Sequence, residues 1–204
     1  MNDLTAFLAI IGAISVGAIS PGPSFLYIAQ LAANRRSAAL QATLGLALGG
    51  ALYGALAVWG VARVISGNSL AMGLLRGFGG VFMLYLGISL WIHAKDSLST
   101  SEAPRSSRNN LLFGFITQVS NPKTIVIYVS VYGALLPHSP APWLYVALPA
   151  AMFTIEFTWY TIVSFVISSE ASRTFYLRLK LWIDRVTGLV LALVSISLFL
   201  AIFG

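Results

Sequence analysis

Two short segments of this 204-residue sequence place polar groups and helix-breaking residues inside long apolar runs. In Ser20-Pro21-Gly22-Pro23-Ser24, neither proline has an N–H, and each ring clashes with the carbonyl four residues back, so the pattern predicts a broken helix. Pro23 suits the first position of a new half-helix, with Ser20 or Ser24 available to cap it. Such a start exposes free N–H groups and the positive end of a dipole, a setting that suits a carboxylate. A plain proline kink is the competing reading. The second segment is Thr117-Gln118-Val119-Ser120-Asn121-Pro122-Lys123-Thr124, with a polar run and a cation near the centre of its span. A lysine there costs about 2.5–3.5 kcal/mol on insertion scales, so it needs a reason. Glu156 is equally central in a neighbouring span and is the only acid in any of the predicted spans. Lys123 and Glu156 are therefore expected to face each other or a shared water-filled cavity, with Glu156 as the proton-titrating group. A buried structural ion pair is the alternative. The candidate binding residues are Pro21, Gly22, Pro23, Ser24, Gln118, Asn121, Pro122 and Lys123.

Other features carry less. Arg76 reads as an interfacial anchor or as part of a gate, and Trp159 and Tyr160, one turn after Glu156, line a pocket or pack against lipid. Gly45, Gly49, Gly50 and Gly54 form small-xxx-small pairs that permit close helix packing and say little about a ligand. Enzyme signatures are missing: there is no His-Glu-x-x-His, no phosphate loop and no nucleophile elbow, since Gly22-Pro23-Ser24 is followed by Phe25-Leu26. His93 and His138 fall at opposite membrane faces. With no cysteine there is no disulfide, Cys-ligated zinc or thiol nucleophile. Neither catalysis nor a metal or cofactor is expected.

The elements that must position these groups follow from composition. Only 9% of the residues are charged and 58% are hydrophobic, against about 25% charged in a soluble domain. The shell that a soluble core needs is missing, and lipid takes its place. The net charge of +6 is scattered between apolar runs, unlike the clustered cations of a nucleic-acid face. Because about 20 apolar residues span the hydrocarbon, the pattern reads as six transmembrane helices: Leu4 to Ala33, Ser37 to Ala62, Met72 to His93, Asn109 to Leu136, Trp143 to Ser169 and Val186 to Phe203. The first span is too long, and its start too acidic at Asp3, for a cleavable signal peptide.

Arg35, Arg36, Lys95, Arg105, Arg108, Arg173, Arg178, Lys180 and Arg185 fall in the odd loops, against Arg63 and Arg76 on the other side. Nine cations against two place the odd loops in the cytoplasm and both termini in the periplasm. The fold expected is a single all-α integral membrane domain over 1–204: repeat one at 1–95, a polar cytoplasmic linker at 96–108, repeat two at 109–204. Gly22-Pro23 and Asn121-Pro122 hold corresponding places in the halves, as do Gly80 with Ile88-Ser89-Leu90 and Gly188 with Ile196-Ser197-Leu198. Two inverted three-helix repeats make a transporter architecture.

Taken together, Ser20-Pro21-Gly22-Pro23, the stretch from Leu75-Arg76 to Leu84-Tyr85-Leu86-Gly87, and Phe113-Gly114-Phe115 followed by Asn121-Pro122-Lys123 resemble the LysE/RhtB family of bacterial amino-acid exporters, over essentially the whole chain. The resemblance implies a multi-pass protein of the bacterial inner membrane, with efflux of amino acids or close derivatives, driven by the proton gradient. Its signature breaks would be Pro21, Gly22, Pro23, Asn121, Pro122 and Lys123, with Glu156 as the acid of the fifth helix. Ser24 departs from the asparagine common in the family at that place. In the mechanism expected, the substrate's carboxylate meets the half-helix ends near Ser24 and Lys123, its ammonium meets Glu156, and protonation of Glu156 releases it. The partners are then a small amino acid, protons and the lipid bilayer; a homodimer is left open. A channel or a non-transporting membrane scaffold is the competing class.

Overall fold

Prolines and their neighbours decide where several of the helices stop, although Pro149 sits inside one. The computed structural model describes residues 2–67, 69–95, 109–166 and 170–203; the side chains at 63–67, 69, 71–72, 75–76, 170–177, 197–198 and 201–203 lie outside the described residues. The described chain is all-helical: α1 (Asp3–Ile19), α2 (Pro23–Asn34), α3 (Arg36–Gly67), α4 (Ser69–Ile92) followed by a 3-10 turn at His93–Lys95, α5 (Asn110–Val119), α6 (Pro122–Leu135), α7 (Leu144–Val166) and α8 (Glu170–Phe203). Asn2 caps α1 by accepting from the Thr5 N–H at 2.8 Å. Pro21 pushes Ser20 into extended backbone and ends α1, and the chain restarts at Pro23, bent by 53°. In the other half, α5 ends at Val119 and α6 restarts at Pro122 behind Asn121. The first and fourth expected spans are thus each two helices.

Arg36–Ala62, Gly77–Lys95 and Leu144–Val166 are long and apolar enough to cross a membrane, and α1 with α2 makes a fourth if the bent pair counts as one span. Their outward faces carry bare apolar side chains such as Phe78 and Val146, 75% and 73% exposed, as hydrocarbon requires. The expected linker at 96–108 lies outside the described residues. One expected loop is corrected. The sequence puts Arg173, Arg178, Lys180 and Arg185 in a loop before Val186, yet α8 runs unbroken from Glu170. Lys180 and Asp184, one turn apart, are both buried and paired at 2.8 Å, so their charges fold into the helix face. Lys180, Asp184, Thr187, Leu191 and Ser195 form one buried stripe.

Helix α3 packs on α5 and α7, and α4 packs on α8. Backbones touch where glycine stands: a Cβ on Gly45 would lie 2.0 Å from the Leu111 carbonyl oxygen, and one on Gly87 2.7 Å from that of Gly188. Two apolar clusters form the core, one around Ile14, Val58, Tyr132 and Met152, the other around Phe25, Leu46, Tyr160 and Val163. The polar groups of the two breaks lie between them.

The ends sort into two faces. Asp3 accepts from the Ala141 N–H at 3.3 Å, Phe7 meets Trp143 edge-on at 5.3 Å, and Trp59 meets Tyr145 at 5.0 Å. These contacts join the start of α1, the end of α3 and the α6–α7 connection. At the opposite end of the helices, the Arg36 guanidinium lies 5.1 Å over the Phe165 ring, and Lys180 donates to the carbonyls of His93 and Ala94.

Candidate functional site

Gln118, on the last turn of α5, is the hub of a buried hydrogen-bond chain. Its Oε1 accepts from Ser24 Oγ at 2.6 Å, and its Nε2 donates to both oxygens of Glu156 at 2.6 and 2.7 Å. Tyr128 adds a donor to Glu156 Oε1 at 2.9 Å, and Asn121 Nδ2 donates to Ser24 Oγ at 3.0 Å. Ser24, Gln118, Asn121, Tyr128 and Glu156 are all buried. The chain thereby joins the head of α2, both sides of the second break, and the middle of α7. Among the described residues, every partner of the Glu156 carboxylate is a neutral donor.

Lys123 and Glu156 both line one cavity of about 30 Å³, but among the described residues no ion pair joins them. Lys123 stands in the first turn of α6, where side chains lean back past the helix start, so its Nζ reaches the end of α1 and donates to the Ser20 carbonyl at 2.9 Å. Depth in the membrane placed the two charges on one level; the direction of the side chain keeps them apart.

Of the residues singled out in the sequence, Gly22, Ser24, Gln118, Asn121, Lys123, Glu156 and Tyr160 line the cavity. Pro21, Pro23 and Pro122 shape the breaks, Trp159 packs on the Phe25 cluster, and the side chain of Arg76 lies outside the described residues. The cavity has room for about one water and none for an amino acid, so a substrate needs the surrounding helices to part.

Sequence reasoning missed the part played by five residues. Gly50 serves more than packing: a Cβ there would lie 2.5 Å from Glu156 Cδ, so this glycine makes the slot for the carboxylate. The doublet Gly49-Gly50 within the glycine stripe was the available signal. Tyr128 supplies a donor that one helical turn past Thr124 could have suggested. Asp184 and Lys180 were hidden by assignment to a loop, and only their i, i+4 spacing pointed to a buried pair. Tyr53 closes the second break from α3, its hydroxyl donating to the Val119 carbonyl.

The sequence model of a family described as LysE type translocator matches residues 15–201, nearly the whole of this arrangement. The chain belongs to the LysE type translocator family. Among curated relatives of this translocator, an uncharacterized membrane protein YahN of Escherichia coli strain K12 is 28% identical over 203 residues, covering 97% of this chain and 91% of the relative. The threonine efflux protein of the same strain is 26% identical over 204 residues, 97% of this chain and 99% of the relative. A leucine efflux protein of Salmonella choleraesuis strain SC-B67 is 26% identical over 199 residues, 92% and 89% of the two chains. No solved structure matches the chain. Family and apolar helices together make this a transmembrane transport protein of the efflux type.

Proposed function

We propose that this translocator exports a small zwitterionic amino acid, or a close derivative, across the bacterial inner membrane in exchange for protons. The observation that carries the reading is the separation of charge in one cavity: a carboxylate on α7 whose partners among the described residues are all neutral, and an ammonium held at the far side of the first break. A zwitterion matches both ends at once, its ammonium to Glu156 and its carboxylate to Ser24, Lys123 and the positive end of α2. Relatives named for threonine and leucine efflux support the substrate class.

The coupling follows from competition. Glu156 is a single carboxylate, and either the substrate's ammonium or a proton can satisfy it, not both. A proton arriving from the periplasm displaces the ammonium, and the protonated carboxyl returns to the cytoplasmic side to lose its proton. The two halves rock as inverted three-helix repeats around this group, with both termini periplasmic.

The test is counterflow in proteoliposomes with a panel of amino acids, with and without an imposed pH difference. Saturable counterflow that the pH difference accelerates is expected. In Glu156→Gln, acceleration disappears while exchange survives at a reduced rate, because glutamine cannot titrate. Conductance without saturation identifies a channel, and silence of the wild-type chain toward every amino acid rejects export. For orientation, Ser139→Cys in this cysteine-free chain is expected to react with an impermeant maleimide from the periplasm, and Ser37→Cys only after permeabilisation.

A further inference from the structure

Lys123 and Glu156 face one cavity with opposite charges and do not collapse onto each other, which calls for something that holds the ammonium back. Lys123 Nζ donates to the Ser20 carbonyl at 2.9 Å, and the hydroxyl of that same serine donates to Asp184 Oδ1 at 3.4 Å. Asp184 Oδ2 holds Lys180 at 2.8 Å, and Lys180 also donates to the His93 and Ala94 carbonyls at 3.3 and 3.2 Å. Ser20 and Asp184 are each 2% exposed. Lys180 is thus held by the Asp184 carboxylate directly, and Lys123 by the backbone carbonyl of the serine whose hydroxyl that carboxylate binds, both at the carbonyl ends of α1 and α4, where a helix dipole favours cations. Gly22 gives the lysine its room: a Cβ there would lie 3.3 Å from Lys123 Cδ and 3.5 Å from Nζ.

We propose that Asp184 is a positioning residue of the transport site: through Ser20 it parks Lys123 at the end of α1, and so keeps Glu156 free of an internal counter-ion. Without it the lysine turns into the cavity and pairs with Glu156, and the substrate must then break an ion pair before it binds. The parking of the lysine concerns the empty protein; only its effect on substrate rests on the proposed function.

The chain has three lysines, Lys95, Lys123 and Lys180, so their side-chain nitrogens are separable by solid-state NMR of the 15N-lysine-labelled full chain in liposomes, with Lys123 assigned by its loss in Lys123→Gln. Asp184→Asn is expected to displace the Lys123 signal, Asp184→Glu to return most of it, and Glu156→Gln to leave it in place. The reverse pattern, a signal that follows Glu156 and ignores Asp184, overturns the proposal. Asp184→Asn leaves Lys180 buried without a counter-charge, so the measurement is repeated in Lys180→Met/Asp184→Asn, where the same displacement is expected and an unmoved signal is equally fatal. In counterflow, Asp184→Asn is expected to raise the half-saturation concentration about tenfold, and to have no further effect in the Lys123→Gln background. An equal rise in both backgrounds shows that Asp184 acts through folding and overturns the positioning role. If the wild-type chain moves no amino acid, the export reading falls, and the lysine signal alone decides the position of Lys123.

Discussion

The two helix breaks use the same elements to different ends. Each stops a helix at a serine and restarts it at a proline, Ser20 to Pro23 in one and Ser120 to Pro122 in the other. At the second break the new helix is closed by its own side chain, Asn121 Oδ1 accepting from the Lys123 N–H at 3.0 Å. At the first, the N-cap is Gly22, which has no side chain to close α2. On the proposed function the first break is therefore the one that receives the substrate's negative group, and the second supplies the side chains, Gln118, Asn121 and Lys123, that surround it. Duplication of a break does not duplicate its role.

Cutting the link between the breaks is expected to have the largest effect. Gln118→Leu leaves Ser24 without its acceptor and removes two of the three hydrogen bonds to Glu156, a loss of about 1–3 kcal/mol per buried group and about a hundredfold in counterflow efficiency. Counterflow together with melting temperature checks it, and near-parental exchange would show that the chain of hydrogen bonds is incidental. Next comes the contrast itself. Pro23→Ala, which lets α2 join the preceding residues, is expected to raise half-saturation about thirtyfold through loss of the open helix end, whereas Pro122→Ala changes it less than about threefold because Asn121 still caps α6. Equal losses at both prolines would restore the view that both half-helices bind substrate. Asn121→Ala acts on stability more than on transport, costing about 1 kcal/mol, or about 2–4 °C in melting temperature. The smallest effect is expected of Gly22→Ala, whose Cβ asks Lys123 to give by a few tenths of an ångström; half-saturation should rise about twofold at most.

What the sequence made legible is what proline, glycine and hydropathy report directly. The breaks fell where Pro21, Gly22, Pro23 and Pro122 put them, and Ser24, Gln118, Asn121 and Glu156 converge as polar groups stranded among apolar ones must. Azimuth was not legible. Counting residues gives the depth of Lys123 but not that its side chain leans back to Ser20, which is why the sequence left a direct pairing with Glu156 and a shared cavity both open and did not show the carbonyl contact. Asp184 escaped for a related reason: a hydropathy window averages Lys180, Asp184 and Arg185 into a loop, although one helical turn lets the first two cancel on one face. Gly50 shows the limit of reading small residues as packing alone, since the group that needs its missing side chain sits 106 positions away in the sequence.

The unequal lengths of the half-helices also have an electrical meaning. α1 and α6, with 17 and 14 residues, lead from the breaks toward the face of Asp3 and Trp143, and α2 and α5, with 12 and 10, lead to the other. At about 1.5 Å per residue, both halves put the site about six-tenths of the way across, measured from the Asp3 face. On the proposed exchange and orientation, a proton that reaches Glu156 from that face has fallen through about six-tenths of the membrane potential, about 1.4 kcal/mol for each 100 mV. A zwitterion crossing the same distance does no such work. On the proposed function, an off-centre site lets voltage act on loading of the carboxylate while leaving the neutral cargo's own passage untouched.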